Sequence, residues 1–254
     1  MLISKQSPVA LITGATSGIG AAFAKNFARQ KYNLIITGRR ENKISKFAQE
    51  LTAQYDIAVE VMILDLANEA DLICLMQKIA AQKQLKILLN NAGFGSKNNF
   101  YAGDITIWQN MLKVHVEALL RLTYAALPHM LANKEGSIIN VSSILAYFPY
   151  RKYAVYSATK AFINLFSRTI ARELQGSGVQ VQVLCPGLTV TDFHAQMGME
   201  AKKVYRTRGF IKPMLPEDVV AKSLANLKKN RSVCIPGFWN KILVLLAILF
   251  RFKG

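Results

Sequence analysis

Short apolar runs alternate with helix-type patterns along the whole chain. The runs predict buried strands at 9–13, 33–37, 59–64, 86–89, 137–141, 179–184 and 232–236. Between them, apolar positions three and four residues apart predict helices at 19–30, 42–55, 69–81, 106–133 and 153–174, and another that begins after Pro216. Such alternation is typical of an α/β fold in which helices cover both faces of a parallel sheet. Because no linker or repeat interrupts it, we predict one domain over residues 1–254.

A glycine-rich turn, TGATSGIG (13–20), joins the first predicted strand to the first helix. Gly14, Gly18 and Gly20 permit a tight turn and let a pyrophosphate approach the backbone, with the N–H groups of the helix N-terminus facing the anion. Three glycines also fit an ordinary strand-to-helix turn, but their position in the first βα unit favours a nucleotide site. The GxxxxGK type of phosphate loop is excluded, because Ala21 stands where that loop needs lysine.

The end of the second predicted strand indicates which dinucleotide the turn would bind. An NAD site places an acidic residue about twenty residues beyond the glycines, for the ribose hydroxyl. This chain has Gly38, Arg39 and Arg40 there. A guanidinium can hold a 2′-phosphate through two hydrogen bonds, so we predict NADP, with NAD the less favoured cofactor. The alternative is a solvated basic turn in front of Glu41.

Composition and charge narrow the possible partners. The chain has 254 residues, 52% of them hydrophobic, and a net charge of +17, which attracts anions. No basic stripe with interleaved aromatics occurs, so we expect no nucleic-acid partner. The three cysteines are widely spaced and form no CxxC, so neither a disulfide framework nor a metal site is predicted. With no signal-peptide pattern, we expect a cytoplasmic protein, with membrane association as an open possibility.

Six motifs in order resemble the short-chain dehydrogenase/reductase family over about residues 8–190. They are TGATSGIG (13–20), LDL (64–66), NNAG (90–93), NVSS (140–143), YSATK (156–160) and PGLTVT (186–191). The resemblance implies a doubly wound Rossmann-type fold around a seven-stranded parallel sheet. It also implies an oxidoreductase that transfers a hydride between a nicotinamide cofactor and a small-molecule carbonyl or alcohol.

The resemblance also implies roles for individual residues. Ser143, Tyr156 and Lys160 would form the catalytic set, with Ser143 thirteen residues before Tyr156. Asp65 would meet the adenine, Asn91 would lie beside the ribose, and residues 186–191 would embrace the nicotinamide end. Together with the glycine turn and the two arginines, the expected cofactor-binding residues are Gly14, Ala15, Thr16, Ser17, Gly18, Ile19, Gly20, Arg39, Arg40, Asp65, Leu66, Asn91, Ala92, Gly93, Tyr156, Lys160, Pro186, Gly187, Thr189 and Thr191.

The four-residue spacing of Tyr156 and Lys160 bears on the acid–base chemistry, because residues four apart share a helix face. A charge ~4 Å away contributes roughly 1 kcal/mol in water and ~4 kcal/mol at an effective dielectric of ~20. We therefore expect the pKa of Tyr156 to lie about one to three pH units below its ordinary value near 10. Tyr156 would then protonate the carbonyl oxygen, while Ser143 hydrogen-bonds the same atom.

Three histidines occur, and only one stands in a motif. His115 occupies the place where many relatives have an asparagine that helps hold a water leading to the lysine. A histidine can also donate or accept, so a relay in altered form and a buried structural histidine are both open. We assign no role to His129 and His194.

Two further segments are predicted to shape the substrate side. Leu145, Tyr147, Phe148 and Tyr150 would line an apolar mouth with basic residues at its rim, and residues 192–215 would form a lid. An apolar or amphipathic carbonyl compound suits this mouth. The alternative function is a non-catalytic, cofactor-sensing or membrane-associated binding protein on the same fold, against which the complete Ser-Tyr-Lys set argues.

The C-terminal segment 237–254 is predicted to be an apolar helix that needs a covering partner. Its nine-residue apolar core, 242–250, is shorter than the roughly twenty residues that span a bilayer. We expect it to pack in a homodimer or homotetramer, or across the substrate mouth. The alternative is peripheral membrane contact, with Trp239, Lys241, Arg251 and Lys253 at headgroup level.

Overall fold

Seven parallel strands form one sheet in the computed structural model, which describes residues 7–200, 205 and 212–250. The spatial order is β3-β2-β1-β4-β5-β6-β7, which confirms the predicted doubly wound Rossmann-type α/β fold. The strands are β1 (Val9–Ile12), β2 (Asn33–Gly38), β3 (Val59–Ile63), β4 (Leu85–Asn90), β5 (Gly136–Val141), β6 (Val179–Leu184) and β7 (Val233–Cys234).

Helices cover both faces of the sheet, as the alternating pattern predicts. They are α1 (Gly18–Arg29), α2 (Glu41–Tyr55), α3 (Glu69–Ala81), α4 (Ile105–Leu112), α5 (Leu119–Ala132), α6 (Ala154–Glu173), α7 (Pro216–Leu227) and α8 (Phe238–Phe250). One core cluster joins the sheet to α1, α2 and α7, and a second joins it to α3, α5 and α6. The central strands are mostly apolar because both of their faces are buried, whereas the edge strand β3 is only partly buried.

The predicted helix at 106–133 is interrupted by a π-helical turn. Residues Lys113–Ala118 form this turn between α4 and α5, so the prediction of one regular helix is wrong in this detail. A π-helical turn holds an extra residue and often marks a functional site. Here it carries His115 into the interior, where that side chain is 1% exposed.

The strand order reverses between β1 and β4, and a crevice opens there at the carboxyl ends of the strands. Ligands of doubly wound folds bind at such a switch point. The turns after β1, β2, β4, β5 and β6 all lead into this crevice, which brings together the motifs that are far apart in sequence.

Two predicted segments are only partly within the described residues. In the predicted lid, 192–215, residues 201–204 and 206–211 lie outside them, and so do residues 251–254 of the C-terminal segment. The described part of the first segment includes a short 3₁₀ turn, Ala195–Met197. Within the described ranges, no helix is long and apolar enough to cross a membrane.

Candidate active site

A cavity of about 880 Å³ occupies the crevice. Its volume falls within the roughly 300–1,000 Å³ of small-molecule and cofactor sites. Most of the residues expected to bind the cofactor line it: Gly14, Thr16, Ser17, Gly18, Ile19, Arg39, Arg40, Asp65, Leu66, Asn91, Ala92, Gly93, Tyr156, Lys160, Pro186, Gly187, Thr189 and Thr191.

Ala15 and Gly20 do not line the cavity. Ala15 is fully buried, and its backbone N–H donates to the Thr37 carbonyl. A side chain at Gly20 would collide with the Gly14 carbonyl oxygen. Both residues therefore support the turn from behind, which the motif alone did not distinguish from contact with a ligand.

The glycine turn is shaped to bring the backbone close to a ligand. Gly14 and Gly18 have φ angles of +66° and +58°, a region that favours glycine. A Cβ on Gly14 would lie 2.9 Å from the Ala92 Cα, so a larger residue does not fit. The Asn91 side-chain amide donates to the carbonyls of Thr13 and Gly14, both at 3.0 Å, which holds the turn against the end of β4.

Two arginines stand at the end of β2, and they are held differently. Arg39 is mostly exposed and reaches Asp65 at 3.4 Å across the surface. Arg40 donates to the hydroxyls of Thr16 at 2.7 Å and Ser17 at 3.1 Å, so it lies over the glycine turn. The cavity therefore has a cationic end at the place where the sequence predicts a 2′-phosphate.

Ser143, Tyr156 and Lys160 are brought together at the floor of the cavity, with exposed fractions of 9%, 8% and 5%. Ser143 follows β5, and the other two share one face of α6. The Lys160 ammonium donates to the Val141 carbonyl at 3.0 Å and lies 5.6 Å from the centroid of the Tyr156 ring. The Ser142 hydroxyl donates to the Lys160 carbonyl at 2.7 Å, which ties α6 to the end of β5.

The expected lowering of the tyrosine pKa is not found in this arrangement. Burial raises the pKa of Tyr156 to about 12, and a hydrogen bond with Ser143 only partly offsets it. Burial also lowers the pKa of Lys160 to about 8. The prediction counted the attraction between the ammonium and the phenolate but not the cost of burying the phenolate, whereas both groups are desolvated and the ammonium hydrogen-bonds a carbonyl.

His115 is held at both ring nitrogens by protein groups. Nε2 accepts a hydrogen bond from the Phe94 backbone N–H at 3.1 Å. Nδ1 lies 2.9 Å from the Thr159 hydroxyl, which itself donates to the Tyr156 carbonyl at 2.8 Å. Nδ1 is therefore the protonated nitrogen, and burial with the nearby Lys160 ammonium keeps the pKa of His115 well below its ordinary value. This geometry favours the structural interpretation over the relay.

The wall near the floor is largely aromatic, and sequence reasoning found only part of it. Leu145 and Tyr150 line the cavity as predicted, but Tyr147 packs against the α6–β6 side instead, and Phe148 is not among the lining residues. Among the lining residues that the sequence did not single out are Phe94 and Tyr153, and also Phe193, His194 and Met197, which lie in the predicted lid, 192–215. None of the five stands in a motif, so no sequence signal marked them individually.

His194, which received no role from the sequence, is oriented by Tyr205. The Tyr205 hydroxyl donates to the Thr191 carbonyl at 2.9 Å and accepts from the Thr191 N–H at 3.1 Å. His194 Nδ1 lies 3.2 Å from the same hydroxyl, whose single proton is already used, so Nδ1 is the donor. Burial lowers the pKa of His194, which is therefore a neutral side chain in the cavity wall near pH 7.

A Rossmann-type fold with a glycine turn, a cationic β2 end and a buried Ser-Tyr-Lys cluster defines a class of dinucleotide-dependent oxidoreductases. A family model described as short chain dehydrogenase matches residues 8–202. The chain is 35% identical over 190 residues to sulfoacetaldehyde reductase 2 of Chromohalobacter salexigens, covering 74% of this chain and 75% of that protein.

Solved structures are similar over nearly the whole chain. A short-chain dehydrogenase from Sphingobium yanoikuyae in complex with NADPH is 28% identical with a TM-score of 0.85, covering 96% of this chain and 95% of the other. The bulky-bulky ketone specific alcohol dehydrogenase from Comamonas testosteroni is 28% identical with a TM-score of 0.80, covering 96% and 94%. The chain belongs to the short-chain dehydrogenase/reductase family, and it is an oxidoreductase that acts on alcohol or carbonyl groups with NAD(P).

Proposed function

We propose that this chain is an NADPH-dependent reductase of apolar or amphipathic carbonyl compounds. It would catalyse the reverse of an alcohol dehydrogenase reaction. The observation that carries the proposal is the burial of Ser143, Tyr156 and Lys160 together, at the floor of a cavity with an aromatic wall. A protein that only binds the cofactor has no need of a phenol, an ammonium and a hydroxyl in this arrangement.

The residues present suit a dinucleotide. A Cβ on Gly14 or Gly18 would collide with Ala92 or Thr191, so glycine is needed for the turn to pack this closely. Both glycines also line the cavity, where a pyrophosphate would meet the backbone of the turn. Arg39 is the better ligand for a 2′-phosphate, because its guanidinium is mostly exposed and its contact with Asp65 is long, at 3.4 Å. Arg40 instead makes shorter hydrogen bonds with two hydroxyls of the turn. Preference for NADPH over NADH follows from this guanidinium and from the lack of an acid at 37–40.

The three buried residues have distinct tasks in the reduction. When bound, NADPH supplies the hydride that the carbonyl carbon accepts. The Tyr156 hydroxyl donates its proton to the carbonyl oxygen, so that one hydride and one proton convert the carbonyl into an alcohol. Ser143 hydrogen-bonds the same oxygen and stabilises its growing negative charge. The Lys160 ammonium stabilises the phenolate that remains. His115 hydrogen-bonds both Phe94 and Thr159, and so fixes α6 relative to the loop that carries Phe94.

The cavity wall favours a bulky, apolar substrate over a small anionic one. Phe94, Tyr153 and Phe193 supply apolar surface near the floor. Among the described lining residues, the lysine and arginine side chains are Lys160 on the floor and Arg39 and Arg40 at the opposite, adenine end. A bulky ketone of the kind named for the Comamonas enzyme fits this wall better than a sulfonated aldehyde. Residues 192–200 would form part of the lid above it.

Initial rates of NADPH oxidation with a matched panel of carbonyls test this proposal. Aryl and alkyl ketones of increasing bulk should give the highest kcat/KM, sulfoacetaldehyde should be reduced poorly, and NADH should be a weaker hydride donor. Fast reduction of sulfoacetaldehyde with slow reduction of every bulky ketone would refute the substrate class. A preference for NADH would refute the cofactor assignment alone.

We also propose a homo-oligomer that uses the outward sides of α5 and α6. These helices expose Leu120, Tyr124 and Leu165, with exposed fractions of 43%, 73% and 67%. The outward sides of two long helices offer more area than one short helix, as a stable dimer requires. Light scattering should give at least a dimer for the intact chain and a smaller species for Leu165→Glu. A wild-type monomer at micromolar concentration would refute this proposal.

A further inference from the structure

The outward side of α8 is apolar apart from Lys241, which lies on the same side of the helix. Its residues form the outward face of α8 and have exposed fractions between 43% and 70%: Phe238, Trp239, Leu245, Leu246, Ile248 and Leu249. Residues four, seven and eleven positions apart share one side of a helix, as Phe238, Leu245 and Leu249 do here. The opposite side is anchored, since Asn240 and Val244 are 5% and 3% exposed.

The chain around this face is strongly basic. From residue 219 to the end of the sequence there is no Asp or Glu, while seven cations occur: Lys222, Lys228, Lys229, Arg231, Lys241, Arg251 and Lys253. Lys241 is exposed on α8 itself, and Arg251 follows the helix directly in sequence. The last two cations alternate with Phe250 and Phe252. An apolar face flanked by cations complements an anionic surface that also offers a hydrocarbon layer.

Charge disfavours a second copy of the chain as the partner of this face. A two-fold contact between two such helices would bring Lys241 close to its copy, and residues 219–254 of the sequence hold no Asp or Glu to offset the repulsion. The helix is also too short to cross a bilayer.

We propose that the outward face of α8 lies flat in the surface of an anionic membrane. Phe238 and Trp239 would enter the headgroup boundary with the leucines, while Lys241 contacts lipid phosphates. The occupant is thus a lipid surface rather than a protein. This departs from the preference for protein packing that the sequence suggested.

The anchored side of α8 abuts two segments that line the cavity. Asn240 packs against Gly187, and α8 contacts the turn Ile144–Tyr147, of which Ile144 and Leu145 line the cavity. Docking through the outward face would therefore leave the cavity close to the membrane surface. An amphipathic substrate would reach it from the lipid boundary. The docking itself does not depend on the proposed function.

Sedimentation of the full chain with vesicles tests the proposal. The wild type should bind vesicles of phosphatidylcholine mixed with phosphatidylglycerol, and bind pure phosphatidylcholine much less. Raising the salt should weaken binding, because surface charges are screened. Leu245→Glu with Leu249→Glu should abolish it, and Lys241→Gln should weaken it about fivefold, which corresponds to ~1 kcal/mol per cation. Ile73→Glu is the matched control, because it adds a charge at an exposed apolar position of α3 and should bind like the wild type.

A second measurement avoids the variants altogether. The chain has two tryptophans, and Trp108 is buried, so bromine-labelled anionic lipids should quench mainly Trp239. Absence of both sedimentation and quenching for the wild type would overturn the proposal. So would equal vesicle binding by the double Glu variant. If that variant instead converts a dimer to a monomer in lipid-free buffer, the face belongs to a second copy and the proposal is wrong.

Discussion

Replacing Lys160 by methionine should stabilise the folded, cofactor-free protein near neutral pH while it destroys turnover. Burial lowers the pKa of Lys160 from 10.5 to about 8, so keeping the ammonium charged inside the protein costs free energy. At about 1.4 kcal/mol per pH unit, that cost is roughly 3 kcal/mol at pH 7. Methionine has no charge to desolvate, although the lost hydrogen bond to the Val141 carbonyl removes about 1 kcal/mol.

The pH dependence of the stability difference between Lys160→Met and the wild type distinguishes the effect of the removed charge from that of the lost hydrogen bond. Between pH 8 and 10.5 the unfolded chain binds more protons at Lys160 than the folded chain does. The contribution of Lys160 to the free energy of unfolding of the wild type therefore increases as the pH rises. The variant lacks that increase. Its advantage over the wild type should therefore shrink by about 2 to 3 kcal/mol between pH 7 and pH 10.

Urea unfolding of both proteins at these two pH values measures the difference directly. Other titrating groups affect both proteins alike and cancel. A Lys160→Met variant whose stability difference from the wild type stays constant from pH 7 to pH 10 would refute the desolvation of this ammonium. Loss of NADPH turnover in the same variant checks the catalytic assignment separately.

Two further predictions concern the cofactor and His115. Arg39→Ala should raise the dissociation constant for NADPH about tenfold to a hundredfold, because a charge-assisted contact is lost. The dissociation constant for NADH should stay almost unchanged. Equal losses of affinity for both cofactors, measured by equilibrium titration, would reject the phosphate contact. His115→Phe leaves the Phe94 N–H and the Thr159 hydroxyl without their partner, so the free energy of unfolding should fall by about 2 kcal/mol. Because His115 is neutral, the pH profile of turnover should keep its shape in this variant. A shift of the acidic limb of that profile would instead support a role for His115 in a proton relay.

Most of the sheet could be predicted because its central strands are buried on both faces. Runs such as Val9–Ile12 and Asn33–Gly38 are short, apolar and bounded by turn residues, a pattern that fits a buried strand better than a helix. The glycine turn could be predicted because its φ angles demand glycine. Each of these constraints acts within a short stretch of chain, so the residue types of that stretch are enough to predict it.

The parts that could not be predicted depend on contacts between distant segments. The π-helical turn at Lys113–Ala118 has no apolar spacing that separates it from an ordinary helix. The raised pKa of Tyr156 follows from burial among residues of several strand ends, which the Tyr156–Lys160 spacing does not encode. His194 is oriented in the cavity wall by a hydrogen bond with Tyr205, which lies eleven residues away in a segment without any periodic signal.

In the proposed NADPH-dependent carbonyl reduction, Tyr156 donates the proton to the carbonyl oxygen. Tyr156→Phe keeps the ring and its packing but removes the hydroxyl. The decisive measurement is single-turnover reduction of the best bulky ketone by NADPH, for wild type and variant, with NADPH binding measured in parallel. The rate should fall at least about a hundredfold, the scale of general acid–base catalysis, while the dissociation constant for NADPH changes little. A variant that reduces the ketone at a near-wild-type rate would contradict the account.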